Sequence, residues 1–140
     1  LKNNKFHYLS VGDSRICLYR KGKLVQLNRE HVFRNELLLR VVNKETTFQE
    51  VLSHPRAAGL TGYLGQGQLK HVDLPAQPVE VCPGDKFILM SDGVYNALSN
   101  DELSEALDKD VKEAAEAIQK AVESKNYTNQ DNYTAVIMAC

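Results

Sequence analysis

A chain of 140 residues in which 43% are hydrophobic and 25% charged has the composition of one globular domain, which excludes the fibrous and natively disordered classes. Seventeen basic residues against eighteen acidic ones leave a formal net charge of -1, so no global basic field exists to hold a nucleic acid or an anionic membrane, and a phosphate-bearing partner has to be caught locally. No apolar stretch approaches the roughly 18 residues of a spanning helix, and Cys17, Cys82 and Cys140, odd in number and without a CxxC pair, argue for a reducing, cytoplasmic setting rather than a disulfide framework or a zinc site.

The chain enters without Met into a strand-like run, Phe6-His7-Tyr8-Leu9, and Leu1 to Lys5 lack the apolar core of a signal peptide, so a segment of a longer protein is expected. Three strands are predicted next, Phe6 to Val11, Ile16 to Arg20 and Lys23 to Leu27. They are joined through Gly12-Asp13-Ser14 and Lys21-Gly22, the chemistry of tight turns, so the expectation is a β-meander. Residues 32–58 are less regular and predict a mobile insertion with a short helix from Phe48 to Leu52, ended before Pro55. Pro75 and Pro78 confine Val72 to Val81 to an edge strand or loop, whereas Phe87-Ile88-Leu89-Met90 reads as a buried strand. Ser99-Asn100-Asp101-Glu102 matches a capping box, and Asp110 with Glu113 repeats the device ahead of Ala114, Ala115, Ile118, Ala121 and Val122, which recur on one helical face. The β-branched Thr134 to Met138 predicts a closing strand. Strands, insertion, strands, helices and strand with little βαβ alternation predict an α+β fold, an antiparallel sheet covered by helices.

Three aspartates stand at strand edges: Asp13 in Val11-Gly12-Asp13-Ser14-Arg15, Asp92 in Met90-Ser91-Asp92-Gly93, and Asp131 in Gln130-Asp131-Asn132. A carboxylate where a buried strand ends is held by the sheet yet reaches solvent, and several together make a hard-oxygen site suited to magnesium or manganese. Two such ions about 3.5–4 Å apart can share a water, lower its pKa and clamp a phosphoryl oxygen. The bland alternative stays open, because Asp beside Gly or Asn is also what any tight turn prefers.

These segments occur in the order and spacing of the type-2C metal-dependent serine/threonine protein phosphatases, and the chain resembles that family, its bacterial members most, over nearly its whole length. Gly12-Asp13-Ser14-Arg15 resembles the family's "GDSR" hairpin, and Gln26-Leu27-Asn28-Arg29-Glu30-His31 is similar to its "LTxDH" stretch. His54-Pro55-Arg56 with Leu60-Thr61-Gly62-Tyr63-Leu64-Gly65 resembles "HPxRNxLTRALG", Pro83-Gly84-Asp85 through Ser91-Asp92-Gly93-Val94 resembles "PGDxxLLxSDGL", and Asp131-Asn132-Tyr133-Thr134-Ala135-Val136 resembles the closing "DNxTxV". The resemblance implies an antiparallel β-sandwich flanked by helices, with residues 1–140 as the C-terminal part of a single phosphatase domain and 32–58 as its flap-like insertion. It implies Mn2+ or Mg2+ as cofactor, Asp92 and Asp131 as ligands of the second metal, and Asp13 with Asp92 as ligands of a weaker third ion. A metal-bridging water would then hydrolyse phosphoserine and phosphothreonine in proteins, with no covalent intermediate. A phosphorylated protein substrate, and a cognate Ser/Thr kinase, are the implied partners.

The family's first metal uses an upstream Asp-Gly pair, and its substrate phosphate an upstream Arg; no residues before the hairpin here supply either. The isolated segment is therefore expected to turn over little substrate, and its exposed sheet edge to favour a dimer. Glu30 stands for the family's Asp, Ala58 for Asn, and Gly62-Tyr63 for Arg-Ala. The competing expectation is a non-catalytic pseudophosphatase or regulatory interaction domain of the same fold. His31 and His54 are read as structural, His7 as half-buried, His71 as a solvated loop residue, Arg15 as an ion-pair partner in the fold, and Cys82 as a packing residue.

Overall fold

The computed structural model describes residues 1–128 and 130–140. In chain order the elements are β1 (Lys5–Phe6), β2 (Arg15–Arg20), β3 (Lys23–Gln26), α1 (Phe33–Val42), α2 (Phe48–Ser53), β4 (Val79–Glu80), β5 (Lys86–Met90), α3 (Asp92–Tyr95), α4 (Asn100–Leu107), α5 (Val111–Ser124) and β6 (Ala135–Ala139). The chain divides into two compact units, one formed by Leu1–Tyr8, Ser14–Asn28 and Pro75–Cys140, the other by Leu9–Asp13 and Arg29–Leu74.

The first unit is built on a four-stranded antiparallel sheet of order β3-β2-β5-β6. The hairpin β2–β3 turns on Lys21 and Gly22, both at positive φ (52° and 75°), the two-residue turn whose twist matches the flanking strands. Side chains alternate along β2 and so divide two cores between the faces of the sheet. Cys17 and Tyr19, with Ile88 and Met90 of β5, pack under the helices against Val94, Leu98, Leu103, Leu107, Ile118 and Val122. Ile16 and Leu18, with Phe87, face the short ribbon β1–β4, where Phe6 stacks on Phe87 at 4.0 Å between ring centroids. Each fully buried Leu or Phe here contributes about 1.5–3 kcal/mol.

Both helix starts are local. Ser99 Oγ accepts the amide of Glu102 while the Glu102 carboxylate accepts the amide of Ser99, and Asp110 Oδ1 accepts the amides of Lys112 and Glu113, a cap without the reciprocal Glu bond. On α5 the buried stripe is Ala114, Ile118 and Val122, four residues apart, with Ala121 half-buried beside it; Ala115, expected on the same face, is exposed, because it lies about 100° round the helix from Ala114. Lys86 Nζ donates to the Leu107 carbonyl at 2.6 Å and to that of Lys109, closing the C-terminal end of α4.

The expected three-stranded meander is corrected. β2 has both edges occupied, by β3 and β5, so the residues before it have no ladder to join; β1 shrinks to Lys5–Phe6 and pairs with β4. The architecture is α+β, with antiparallel sheet layers and helices, as expected.

In the second unit, α1 begins at Val32 without a side-chain cap, and its first amides, of Phe33 and Arg34, donate to the carbonyls of Gly59 and Ala57 at 2.8 Å each. It ends with Lys44 at φ 62° and the Glu45 amide bonded back to the Arg40 carbonyl, a Schellman-type stop. Thr47 and Glu50 form a capping box at α2. Residues 32–58 lie within this unit and carry both helices.

Candidate metal centre

Asp92 and Asp131 are brought to one end of the β5–β6 pair. Met90 pairs with Ala135, so Asp92, two residues past Met90, and Asp131, four residues before Ala135, leave the antiparallel ladder on the same side. The backbone lacing is close: the Ser91 amide donates to the Thr134 carbonyl, the Thr134 amide donates to Ser91 Oγ (3.0 Å each), and Gln130 Nε2 donates to the Gly93 carbonyl at 3.3 Å. Gly93 is buried at this crossing, and a Cβ there would stand 2.4 Å from the Asn132 carbonyl oxygen, so only glycine allows the segments to approach.

The carboxylates themselves are tied locally. Asp92 Oδ1 accepts the Gly93 amide at 2.9 Å, and Asp131 Oδ1 accepts the Asn132 amide at 2.7 Å. Each keeps oxygen lone pairs beyond that bond, Asp92 half-buried and Asp131 exposed, a donor set that fits a hard divalent cation. Among the described residues no group of three or more His, Cys, Asp and Glu side chains is gathered into a cage for an ion.

Asp13 belongs to the second unit, half-buried directly after Gly12, whose φ of 100° only glycine adopts readily. The Gly12 amide donates to His31 Nδ1 at 3.2 Å, and the His31 amide donates to the Gly12 carbonyl at 2.8 Å. Burial, and next the neighbouring His71, hold the His31 pKa below its ordinary value. The same unit has a cleft of about 320 Å³ beside His31, lined also by Arg29, Glu36, Lys70, His71 and Asp73.

Other residues take structural posts. The Arg15 guanidinium lies over the Tyr95 ring at 3.7 Å, joining β2 to α3. His54 Nδ1 accepts the Arg56 amide, and its ring packs on Phe33. His7 is exposed rather than half-buried, His71 is half-buried with Nε2 3.6 Å from Glu36, and Cys82 is exposed rather than packed. Sequence reading passed over Asp85: it is 1% exposed and bound by Arg20 Nε and Nη2 at 2.7 Å each, with the Cys82 amide donating to it as well. Arg20 above all holds its carboxyl below the usual carboxylate range. The signal was the Pro83-Gly84-Asp85 turn set just before the apolar run Phe87-Ile88-Leu89-Met90, where a carboxylate drawn into the core has to be paired.

No family model matches the chain. A 2C-type protein phosphatase of Streptococcus pyogenes is 38% identical over 96 residues, covering 69% of this chain and 37% of that protein. The solved serine/threonine phosphatase of S. agalactiae superposes with a TM-score of 0.81 at 26% identity, covering 99% of this chain and 56% of that one. The catalytic domain of the phosphatase PstP, solved in complex with two manganese ions, has the same fold at a TM-score of 0.68 and 22% identity, covering 98% of this chain and 54% of that one. The chain thus spans about half, or less, of the length of the proteins it matches.

Proposed function

Since the chain belongs by sequence and by fold to the type-2C serine/threonine phosphatases, we propose that it supplies the C-terminal part of a metal-dependent phosphatase acting on phosphoserine and phosphothreonine in proteins. Asp92 and Asp131 would hold one divalent cation, Mn2+ or Mg2+, and Asp13 would serve as a ligand of a weaker one. The observation that carries this reading is the Ser91–Gly93 segment packed on Gln130–Thr134, which sets two carboxylate-bearing turns side by side through a glycine that admits no side chain. The bound ions would supply an activated water and neutralise charge developing on the phosphoryl oxygens. The chain's own part is to orient the ligands: β5 and β6 fix the two turns, and the Gly93 and Asn132 amides fix one oxygen of each carboxylate.

The remaining ligands and the phosphate-binding Arg would come from an upstream half, with residues 32–58 as the flap beside the cleft. A phosphorylated cytoplasmic protein and its Ser/Thr kinase are the proposed partners; no nucleic acid or membrane enters the reading, and among the described residues no helix is long and apolar enough to cross a membrane. A second copy is a further partner, because β6 is a sheet edge, and Val25, Leu89 and Val136 are exposed on the face that Phe87 shares.

Calorimetric titration of the 140-residue chain with MnCl2 tests the metal reading. Weak uptake is expected, abolished by Asp92→Asn and reduced by Asp131→Asn; no uptake by the unaltered chain would favour a non-catalytic interaction domain of the same fold. Robust Mn2+-dependent hydrolysis of a phosphopeptide by these residues alone would overturn the need for an upstream half.

A further inference from the structure

We propose that His31 is a positioning residue for the Asp13 loop, its ring and backbone together fixing the Gly12–Asp13 peptide so that the Asp13 carboxylate is held ready for a divalent cation. This rests on the reading of Asp13 as a metal ligand.

Two hydrogen bonds run in opposite senses between the same two residues: Gly12 N–H to His31 Nδ1 at 3.2 Å, and His31 N–H to the Gly12 carbonyl at 2.8 Å. Together they close a ring across nineteen positions of sequence, with both partners buried. Gly12 sits at φ 100°, a region in which a free glycine would be one conformer among many, so the clasp removes the freedom that the missing side chain leaves.

The ring that makes the clasp is itself held. The His31 carbonyl accepts the Thr61 amide at 2.8 Å, and a Cβ on Gly62 would lie 3.3 Å from the Cβ atoms of both His31 and His71 and 3.4 Å from His31 Nδ1, so a side chain there would crowd both histidines. Their centroids are 5.8 Å apart. An acceptor at Nδ1 specifies the neutral tautomer protonated at Nε2. The loop therefore requires an acceptor at one ring position, a requirement that packing alone does not impose.

Two polar replacements separate these roles. In His31→Asn the amide oxygen can occupy the Nδ1 position; in His31→Gln the amide lies one methylene further out, near Nε2. The test is Mn2+ titration of the 15N-labelled 140-residue chain, read as paramagnetic broadening of the amides of residues 12–14 and, separately, of 92–93 and 131–132, alongside the thermal midpoint.

His31→Asn is expected to keep the apparent Mn2+ affinity at residues 12–14 within about twofold, and His31→Gln to weaken it about tenfold or more, the scale of an outer-shell partner, with the 131–132 response unchanged. Equal affinities for the unaltered chain and His31→Gln, or equal losses in both variants, would overturn the proposal in favour of simple packing. Broadening at 92–93 and 131–132 with none at 12–14 in the unaltered chain would overturn it differently, by removing Asp13 from the metal site. No broadening at any of these amides would sink the metal reading itself.

Discussion

The two units keep their order by different means. In the first, apolar side chains at period 2 along β2 and β5 and at a four-residue spacing along α5 meet in contiguous cores, and the helices begin on their own side chains. In the second, α1 buries only Leu37 while Leu39, Val42, Phe48 and Leu52 stay exposed, and its start depends on the carbonyls of Gly59 and Ala57. A core made by periodicity is expected to respond to apolar truncation globally, whereas a unit made by backbone bridges and a histidine clasp is expected to open locally where one of them is lost.

The contrast is sharpest at Phe87, which is fully buried and stacked on Phe6. Phe87→Ala is expected to cost about 3–5 kcal/mol, read as a lowered urea midpoint of the first unit. Val51→Ala, the nearest equivalent in the second unit, should instead appear as faster amide exchange confined to α1 and α2; a global loss as large as that of Phe87→Ala would break the comparison.

Asp85 comes next, because the first unit also contains one buried charge that periodicity does not protect. Asp85→Asn is expected to cost about 2–3 kcal/mol at neutral pH through the loss of its two-pronged Arg20 contact. The sign follows from the lowered native pKa: the pair stabilises above the ordinary carboxylate range and that contribution is lost as pH falls through the native value. Urea midpoints measured from pH 7 down to pH 3 should therefore fall for the unaltered chain and flatten for the variant; parallel curves would remove Asp85 from the acid response.

Gly93→Ala forces the 131–134 segment away from Asp92. A loss of about 1–3 kcal/mol is expected, with Mn2+ uptake falling out of proportion to the change in midpoint. Ser99→Ala should cost about 1 kcal/mol in the same melt, and Thr47→Ala, an equivalent capping box in the second unit, should leave that melt unmoved while fraying α2. Equal shifts for both caps would mean that the two units unfold as one.

Sequence alone determined what is encoded locally: the β2–β3 hairpin on Lys21-Gly22, the strand β5 with all but Leu89 of its apolar run buried, the caps at Ser99 and Asp110, the α5 stripe apart from Ala115, and the presence of three aspartates at strand ends. Each depends on residues within a few positions of one another, so dihedral preference and side-chain period suffice to reveal it. The order β3-β2-β5-β6, the exile of β1 to a ribbon with β4, and the existence of α1 depended on partners far along the chain, since β5 fills an edge of β2 and Gly59 and Ala57 complete a helix start that has no cap of its own. The setting of the candidate metal ligands was likewise a tertiary matter: a glycine that touches Asn132 and an imidazole that holds Gly12 across nineteen residues leave no periodic trace, because close approach and hydrogen bonding are properties of space rather than of sequence distance.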